Sequence, residues 1–349
     1  MEKKENLARR GFFGIGLVGL GGAGGWLARK FQGPEVMRKP TPLNDRKHLE
    51  YDISEFEKVD PAVIKYNPNG EFATGLESVK RLDAAPDGRV VVAGDKKIKF
   101  FGNGGEEERV IELEDSVHCL HFAGEDDLIV GMTNRIEIYD IEGNRKLQGP
   151  HMAERTFLTA IATNDDAIFL ADAGNREVFV CDRKTGQSQY SFGKKDIEKS
   201  NPGFAIPSPY FDLAIDGDGR LRVANTGRLQ VETYTLEGEF HSSWGEPGMK
   251  VGKFCGCCNP VYFTLTPEGD FITSEKGLAR ICIYTSDGEF LGAVAGPDIL
   301  VEDKELARKA CENCSIGAGF DVAMNKQGQV LALDPYRKSV RRFEPKATA

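Results

Sequence analysis

Several common signatures of catalysis and membrane insertion are missing from this sequence. It has no P-loop, no GxGxxG after a strand, no GxSxG, no HExxH and no CxxCH haem attachment motif. After the first 30 residues, no stretch is apolar enough to span a membrane. Local motifs therefore leave the usual nucleotide-binding, serine-hydrolase and zinc-protease assignments without support.

Basic charge is also scarce. Lys and Arg number 45 against 54 Asp and Glu, which gives a net charge of −9, and no long basic run follows the N-terminal segment. Nucleic-acid phosphates require clustered Lys and Arg, so we expect no nucleic-acid partner. A basic protein partner, such as a small electron carrier, remains compatible with this acidity.

The N-terminus is typical of a targeting segment. Residues 2–10 carry four basic side chains, and residues 12–28 carry no charge. This pattern predicts an export signal or membrane anchor over residues 1–30, followed by a Pro-containing linker over 31–60. No clear cleavage site is present, so removal of the segment and anchoring through residues 12–28 both stay open.

The pair Arg9-Arg10, followed by Gly11-Phe12-Phe13, resembles a twin-arginine signal. Ala8 and Gly14 depart from the usual pattern. The resemblance implies a periplasmic or other extracytoplasmic protein that is exported already folded, in many cases with its cofactor in place.

Residues 61–345 repeat one phrase. In residues 211–225 it reads as a strand, a Gly-containing turn and a second strand, and two further strands follow. Alternating apolar residues interrupted by Asp-Gly, Glu-Gly and Gln-Gly turns are typical of antiparallel hairpins. Repeats of about 40–60 residues with four short strands predict propeller blades. The copies begin at Leu82, Val117, Leu158, Phe211, Val261 and Phe320.

Six copies predict an all-β, six-bladed β-propeller. The last copy ends after its third strand, near Phe343. A fourth strand must then come from elsewhere, and Ala62–Tyr66 is the predicted donor, because pairing both ends of the chain would remove an exposed edge.

The repeated phrase, with F-D-hydrophobic-A-hydrophobic-D and then V-A-[DN], resembles the NHL repeat over roughly residues 75–345. That resemblance implies the propeller fold and leaves function open, since such propellers serve as enzymes, binding modules and scaffolds. The Cys-Cys-Asn-Pro element at 257–260 is similar to one found in bacterial NHL proteins of unassigned function.

Two cysteine clusters precede the first strands of consecutive blades. Cys258 lies three residues before Val261, and Cys314 lies six before Phe320, so both loops should meet at one mouth of the channel. The CxxC spacings predict a metal centre, and all-thiolate ligation favours an iron–sulfur cluster, with zinc or no metal as alternatives. The predicted ligands are Cys255, Cys258, Cys311 and Cys314, with Cys257 as a substitute.

Two other interpretations of these thiols stay open. In an oxidising compartment they could form disulfides that staple the loops of a binding scaffold. Alternatively, Cys311 and Cys314 could form a redox-active dithiol. The remaining cysteines fall within strands and are expected to be buried and structural; they are Cys119, Cys181 and Cys282.

A second candidate site comes from aligning the first strands of the repeats. One position should form a ring around the channel, and its predicted members are Arg81, His118, Thr159, Asp212, Tyr262 and Asp321. The two Asp and His118 resemble the placement of metal-binding residues in six-bladed propeller lactonases. That resemblance implies a metal-dependent hydrolase or lyase, with these three as catalytic candidates.

The function favoured by the sequence is electron transfer, or a structural metal, in an extracytoplasmic redox assembly with a protein partner. The hydrolase or lyase and the non-catalytic binding scaffold are the alternatives.

Overall fold

A computed structural model of the chain describes residues 52–196, 203–303 and 318–347. Within these ranges, 24 strands form six separate four-stranded antiparallel sheets. The innermost strands of consecutive sheets contact one another, and the last contacts the first, so the sheets close into a ring. The predicted six-bladed β-propeller is thereby confirmed. The signal or anchor over residues 1–30 and linker residues 31–51 lie outside the described residues.

The first strand, β1 (Tyr66–Ala73), belongs to the last blade, and the others follow in chain order from the channel outward. Blades 1 to 3 comprise β2 (Val79–Ala84), β3 (Val90–Gly94), β4 (Lys97–Phe101) and β5 (Glu107–Glu112); β6 (Val117–Ala123), β7 (Asp127–Met132), β8 (Ile136–Asp140) and β9 (Arg145–Gln148); and β10 (Leu158–Thr163), β11 (Ala167–Asp172), β12 (Glu177–Asp182) and β13 (Ser188–Phe192).

The second half of the ring repeats this order. Blades 4 to 6 comprise β14 (Leu213–Ile215), β15 (Leu221–Asn225), β16 (Gln230–Tyr234) and β17 (Phe240–Trp244); β18 (Tyr262–Leu265), β19 (Phe271–Glu275), β20 (Arg280–Tyr284) and β21 (Phe290–Ala295); and β22 (Asp321–Met324), β23 (Val330–Asp334), β24 (Ser339–Pro345) and β1. The described helices are short: 3-10 turns at Ser54–Phe56, Pro61–Val63 and Thr226–Arg228, and α1 (Pro297–Leu300). No helix in the described ranges is long and apolar enough to cross a membrane.

The closing strand differs from the predicted one. β1 pairs antiparallel with β24, with Phe72 opposite Val340, whereas Ile64 bridges Ala293 at the outer strand of blade 5. The prediction of Ala62–Tyr66 as the closing strand is therefore wrong except at Tyr66, which begins β1 and pairs with Pro345, although the chain's N-terminal part does complete the last blade. Most of β1 is exposed and only Phe72 is buried, so its sequence carries no apolar alternation that could reveal it.

The hydrophobic core lies between the blades. Phe100 of blade 1, for example, shares a cluster with Leu120 and Leu128 of blade 2. Packing of this kind recurs around the ring and removes large apolar side chains from water, which is the main stabilising contribution to folding. The three strand cysteines are fully buried as predicted; they are Cys119, Cys181 and Cys282.

Candidate functional site

The ring around the channel has a different membership from the predicted one. Leu82, Leu120, Ile161 and Leu213 pair with Val92, Val130, Leu170 and Val223 of the neighbouring strands, and these pairs mark equivalent positions in the four blades. The residues immediately before these, and their counterparts in blades 5 and 6, form what we call the channel ring: Arg81, Cys119, Ala160, Asp212, Tyr262 and Asp321.

The prediction of His118 and Thr159 as ring members is wrong, because in both strands the ring position lies one residue later, just after a β-bulge. The inner strands of blades 2 and 3 have register shifts between Val117 and Cys119 and between Leu158 and Ala160. A bulge adds one residue, so every side chain before it points to the opposite face from the one expected. Cys119 thus takes the ring position in blade 2, and its spacing to the paired Gly131 equals that of Arg81 to the paired Ala93, so an alignment of these two hairpins does indicate it.

His118 is consequently separated from the two ring carboxylates. Its imidazole stacks on Phe157 at 4.5 Å, and its Nε2 lies 3.2 Å from Thr133 Oγ1. Burial lowers its pKa. The structure therefore does not bring together the three predicted catalytic candidates.

Arg81 lies between the carboxylates of Asp212 and Asp321. Its Nη2 donates to Asp212 Oδ1 at 3.0 Å, and its Nε lies 3.4 Å from Asp321 Oδ2. The guanidinium also stacks over the Tyr262 ring, with its carbon 4.7 Å from the ring centroid. The centre of the channel thus contains a side-chain cation held by two acidic side chains and an aromatic face.

The same carboxylates join neighbouring blades. Asp212 Oδ2 accepts a hydrogen bond from the Phe263 N–H at 2.9 Å, and Asp321 Oδ2 accepts one from the Leu82 N–H at 2.7 Å. Two of the six blade junctions are thus bridged by buried, charge-assisted hydrogen bonds, a structural role that needs no ligand.

Burial dominates the electrostatics of this cluster. It raises the pKa of Asp321 to about 7 and also raises the pKa of Asp212, although Arg81 opposes both shifts. Burial alone would lower the pKa of Arg81, but the two carboxylates outweigh it and the net pKa is raised. Proton uptake by this cluster is consequently coupled to folding.

Below the channel ring, towards the C-terminal ends of the inner strands, lies a cavity of about 160 Å³. Small side chains such as Ala162 and Ala214 leave this space open, and Asp83, His121 and Thr264 add polar groups to its wall. His121 Nδ1 is 3.5 Å from Asp83 Oδ2. In the described part of the chain, no group of three or more His, Cys, Asp or Glu side chains is arranged to hold a metal ion.

The cysteine loop, residues 254–260, is held by a side-chain frame at the opposite mouth. Asn259 Nδ2 donates to the carbonyl oxygens of Cys255 and Lys276 at 2.6 and 3.0 Å, and Asn259 Oδ1 accepts from the Lys276 N–H at 2.9 Å. The Cys255 N–H donates to Glu275, whose carboxylate is paired with Arg280, and both of these side chains are fully buried. The loop backbone is therefore fixed to the turn between β19 and β20.

The three thiols of this loop have different environments. Cys255 is buried, and its Sγ lies 3.8 Å from both Asn259 Nδ2 and the Lys276 carbonyl oxygen. Cys257 is exposed, Cys258 is buried, and their Sγ atoms are 3.3 Å apart. This hydrogen bond raises the pKa of the Cys257 thiol, an effect that Lys276 partly offsets. The adjacent thiols are thus Cys257 and Cys258 rather than the predicted CxxC pair.

The second cysteine cluster lies outside the described residues, but the chain that follows it is described. Gly319, five residues after Cys314, packs against Val261, three residues after Cys258. A Cβ built on Gly319 would lie only 2.4 Å from Val261 Cγ2. The segments that follow the two clusters therefore run side by side in neighbouring blades.

Comparison with known proteins gives the fold and no family. No protein-family model matches the chain, and no curated protein matches it. A solved streptogramin B lyase is 14% identical, with a TM-score of 0.53 over 82% of this chain and 100% of that one. A gluconolactonase from Xanthomonas campestris is 14% identical, with a TM-score of 0.56 over 78% and 88%. A protein of unknown function from Bacteroides thetaiotaomicron is 12% identical, with a TM-score of 0.51 over 81% and 73%.

Proposed function

We propose that this propeller is an extracytoplasmic electron-transfer protein with a thiolate-ligated metal centre, an iron–sulfur cluster, at the mouth formed by the cysteine loop. The proposal rests on one observation. The adjacent thiols of Cys257 and Cys258 precede Val261, and Val261 contacts Gly319, in the segment that follows the second cysteine cluster. Four thiolates are the ordinary ligand set of such a cluster, which would supply one-electron transfer.

The geometry changes the proposed ligands from those expected. Cys257 and Cys258 are side by side, whereas Cys255 is buried in the Asn259 frame. We therefore assign Cys257, Cys258, Cys311 and Cys314 as ligands and Cys255 as a structural residue. Gly319 contacts Val261 and follows Cys314 by five residues, which span at most about 17 Å, so chain length permits Cys314 to join this site.

One side chain of this mouth, Lys276, suits an anionic centre. The Lys276 side chain, 6% exposed, lies with its Nζ 4.4 Å from the centroid of the Tyr210 ring and 3.4 Å from Ser208 Oγ. Its positive charge acts on Cys257 and would stabilise thiolate there. The net charge of −9 would favour docking of a basic redox partner.

The test is anaerobic purification of the full chain followed by iron, zinc and sulfide analysis and an absorption spectrum. We expect iron and sulfide together with broad thiolate–iron absorption, and loss of both in Cys257→Ser and Cys311→Ser. Cys282→Ala, at a buried strand position of blade 5, is the matched control and should keep its metal. Stoichiometric zinc without sulfide would replace the cluster by a zinc site, and a metal-free protein would refute the centre.

The lyase and gluconolactonase among the structural neighbours raise the alternative of a metal-dependent hydrolase or lyase. Its candidate carboxylates, Asp212 and Asp321, are bridged by Arg81, so a protein cation already occupies the space between them. Lactone hydrolysis that requires added Ca²⁺ or Zn²⁺ and is lost in Asp212→Ala would favour this alternative over the thiolate centre.

A further inference from the structure

Cys257 and Cys258 are neighbours in sequence with their sulfur atoms already in contact. The Sγ–Sγ distance is 3.3 Å, so closure to a disulfide needs an approach of about 1.2 Å. Cys257 is exposed, and Cys258 beside it is only 2% exposed. One thiol can therefore be reached by a reagent from solvent, and the other is placed to attack only its neighbour.

The surrounding loop holds this arrangement. Asn259 forms two hydrogen bonds with the Lys276 backbone and one with the Cys255 carbonyl oxygen, and Gly256, at φ +76°, turns the chain just before the pair. A Cβ added at Gly256 would meet no atom within 4 Å, so the outer side of the loop is open to solvent. Hydrogen bonds from Asn259 thus hold the loop that carries the pair, while the outer side of the loop is open to solvent.

We propose that Cys257 and Cys258 form a reversible vicinal disulfide by exchange with a small-molecule disulfide. The Cys257 thiolate attacks one sulfur of the reagent and releases its first thiolate. The Cys258 thiolate then attacks the Cys257 sulfur of the mixed disulfide and releases the second. The two cysteines lose two electrons and two protons, and the reagent disulfide becomes two thiols.

The bond would be readily reduced again. Adjacent Cα atoms are about 3.8 Å apart across a trans peptide, which is shorter than the usual separation in a disulfide. Such constrained and exposed disulfides are the labile ones, in contrast to structural staples. The site goes beyond the proposed metal centre, because it needs only these two described thiols. Oxidation would also remove two of the proposed ligands.

The experiment uses the full chain incubated with oxidised glutathione, quenched with acid, alkylated and digested for mass analysis. In the wild type we expect the peptide that contains residues 254–276 to lose two hydrogens and to carry one alkylated cysteine. Cys255→Ala is the matched control and should lose two hydrogens equally well. Cys258→Ser should stop at a stable mixed disulfide on Cys257, and Cys257→Ser should not react at this loop.

A wild-type protein that accumulates the mixed disulfide, or a Cys255→Ala variant that fails to close the bond, would overturn the proposal. The outcome is separate from that of the metal test. If the protein forms this disulfide but binds no metal, the disulfide proposal stands and the metal-centre proposal fails. If the protein binds the metal but Cys257 and Cys258 never form a disulfide, even after the metal is removed, the metal-centre proposal stands and the disulfide proposal fails.

Discussion

The Arg81 cluster gives the sharpest prediction, because replacing one buried side chain should produce a stability loss that depends on pH. In Arg81→Met the carboxylates of Asp212 and Asp321 keep their burial and lose their cation. Removing one partner of a buried ion pair costs about 3–5 kcal/mol, so we expect unfolding free energy to fall by that amount at pH 8.5.

The pH dependence follows from the carboxyl groups. Because the folded-state pKa of Asp321, about 7, lies above its ordinary value of 3.8, folding takes up a proton. Its contribution to stability is complete below pH 4 and is lost as the pH rises through 7. Without Arg81 the Asp321 carboxyl should hold its proton up to pH 8.5, whereas in the wild type it releases the proton near pH 7. The difference of about 1.5 pH units amounts to about 2 kcal/mol, at about 1.4 kcal/mol per pH unit. The loss caused by Arg81→Met should therefore be smaller at pH 6 than at pH 8.5 by about 2 kcal/mol.

The assay is urea unfolding followed by circular dichroism at both pH values. Arg220→Met, which removes an exposed arginine, is the matched control and should change stability by less than about 1 kcal/mol. The triple variant with Asp212→Asn and Asp321→Asn should recover much of the loss, since no buried charge remains. An equal loss at both pH values, or a loss below about 1 kcal/mol, would refute the assignment of Arg81 as the cation of the channel.

Three further perturbations test the cysteine loop and the ring closure. Asn259→Ala leaves the Lys276 N–H and two carbonyl groups unpaired. It should lower the free energy of unfolding in urea by about 1–3 kcal/mol and speed alkylation of the loop cysteines. An unchanged alkylation rate would mean that the Asn259 hydrogen bonds do not hold the thiols in place. Gly319→Ala pushes against the buried Val261 and should cost about 1–3 kcal/mol, whereas a neutral result would show that the two segments are not in close contact. Phe72→Ala removes the only buried side chain of β1 and should lower the melting temperature by several degrees, with protease cleavage before residue 74 as a second measure. Protease resistance equal to wild type would mean that burial of Phe72 does not hold β1 in the last blade.

The repeat pattern was sufficient to predict the propeller, because each inner hairpin alternates apolar residues about a Gly turn that any blade must contain. It failed where one residue matters. A bulge such as that before Ala160 reverses which side chain faces the channel, and no composition signal accompanies it. β1 was misplaced for a related reason, since an exposed outer strand needs no apolar pattern to pair.

The candidate site was partly predictable on the same terms. Spacing to the inner strands indicated that the two cysteine clusters precede neighbouring blades, and the described contact between Gly319 and Val261 agrees with that expectation. Spacing could not indicate that Cys255 is enclosed by the Asn259 side chain, or that Arg81 bridges two acidic residues of other blades. These contacts depend on tertiary packing, which a repeat alignment does not contain. Membership of the NHL family, the leader, the cofactor and the partner stay predictions.

The pairing of β1 with β24 also sets the order of events when the protein is made. Glu71 and Ser339 are hydrogen-bonded across 268 residues of chain, so the last blade cannot assemble until β24 has left the ribosome. Contacts of such long sequence separation carry the largest loop-closure cost and form late. Until then the growing chain presents an incomplete ring with unpaired strand edges at both ends.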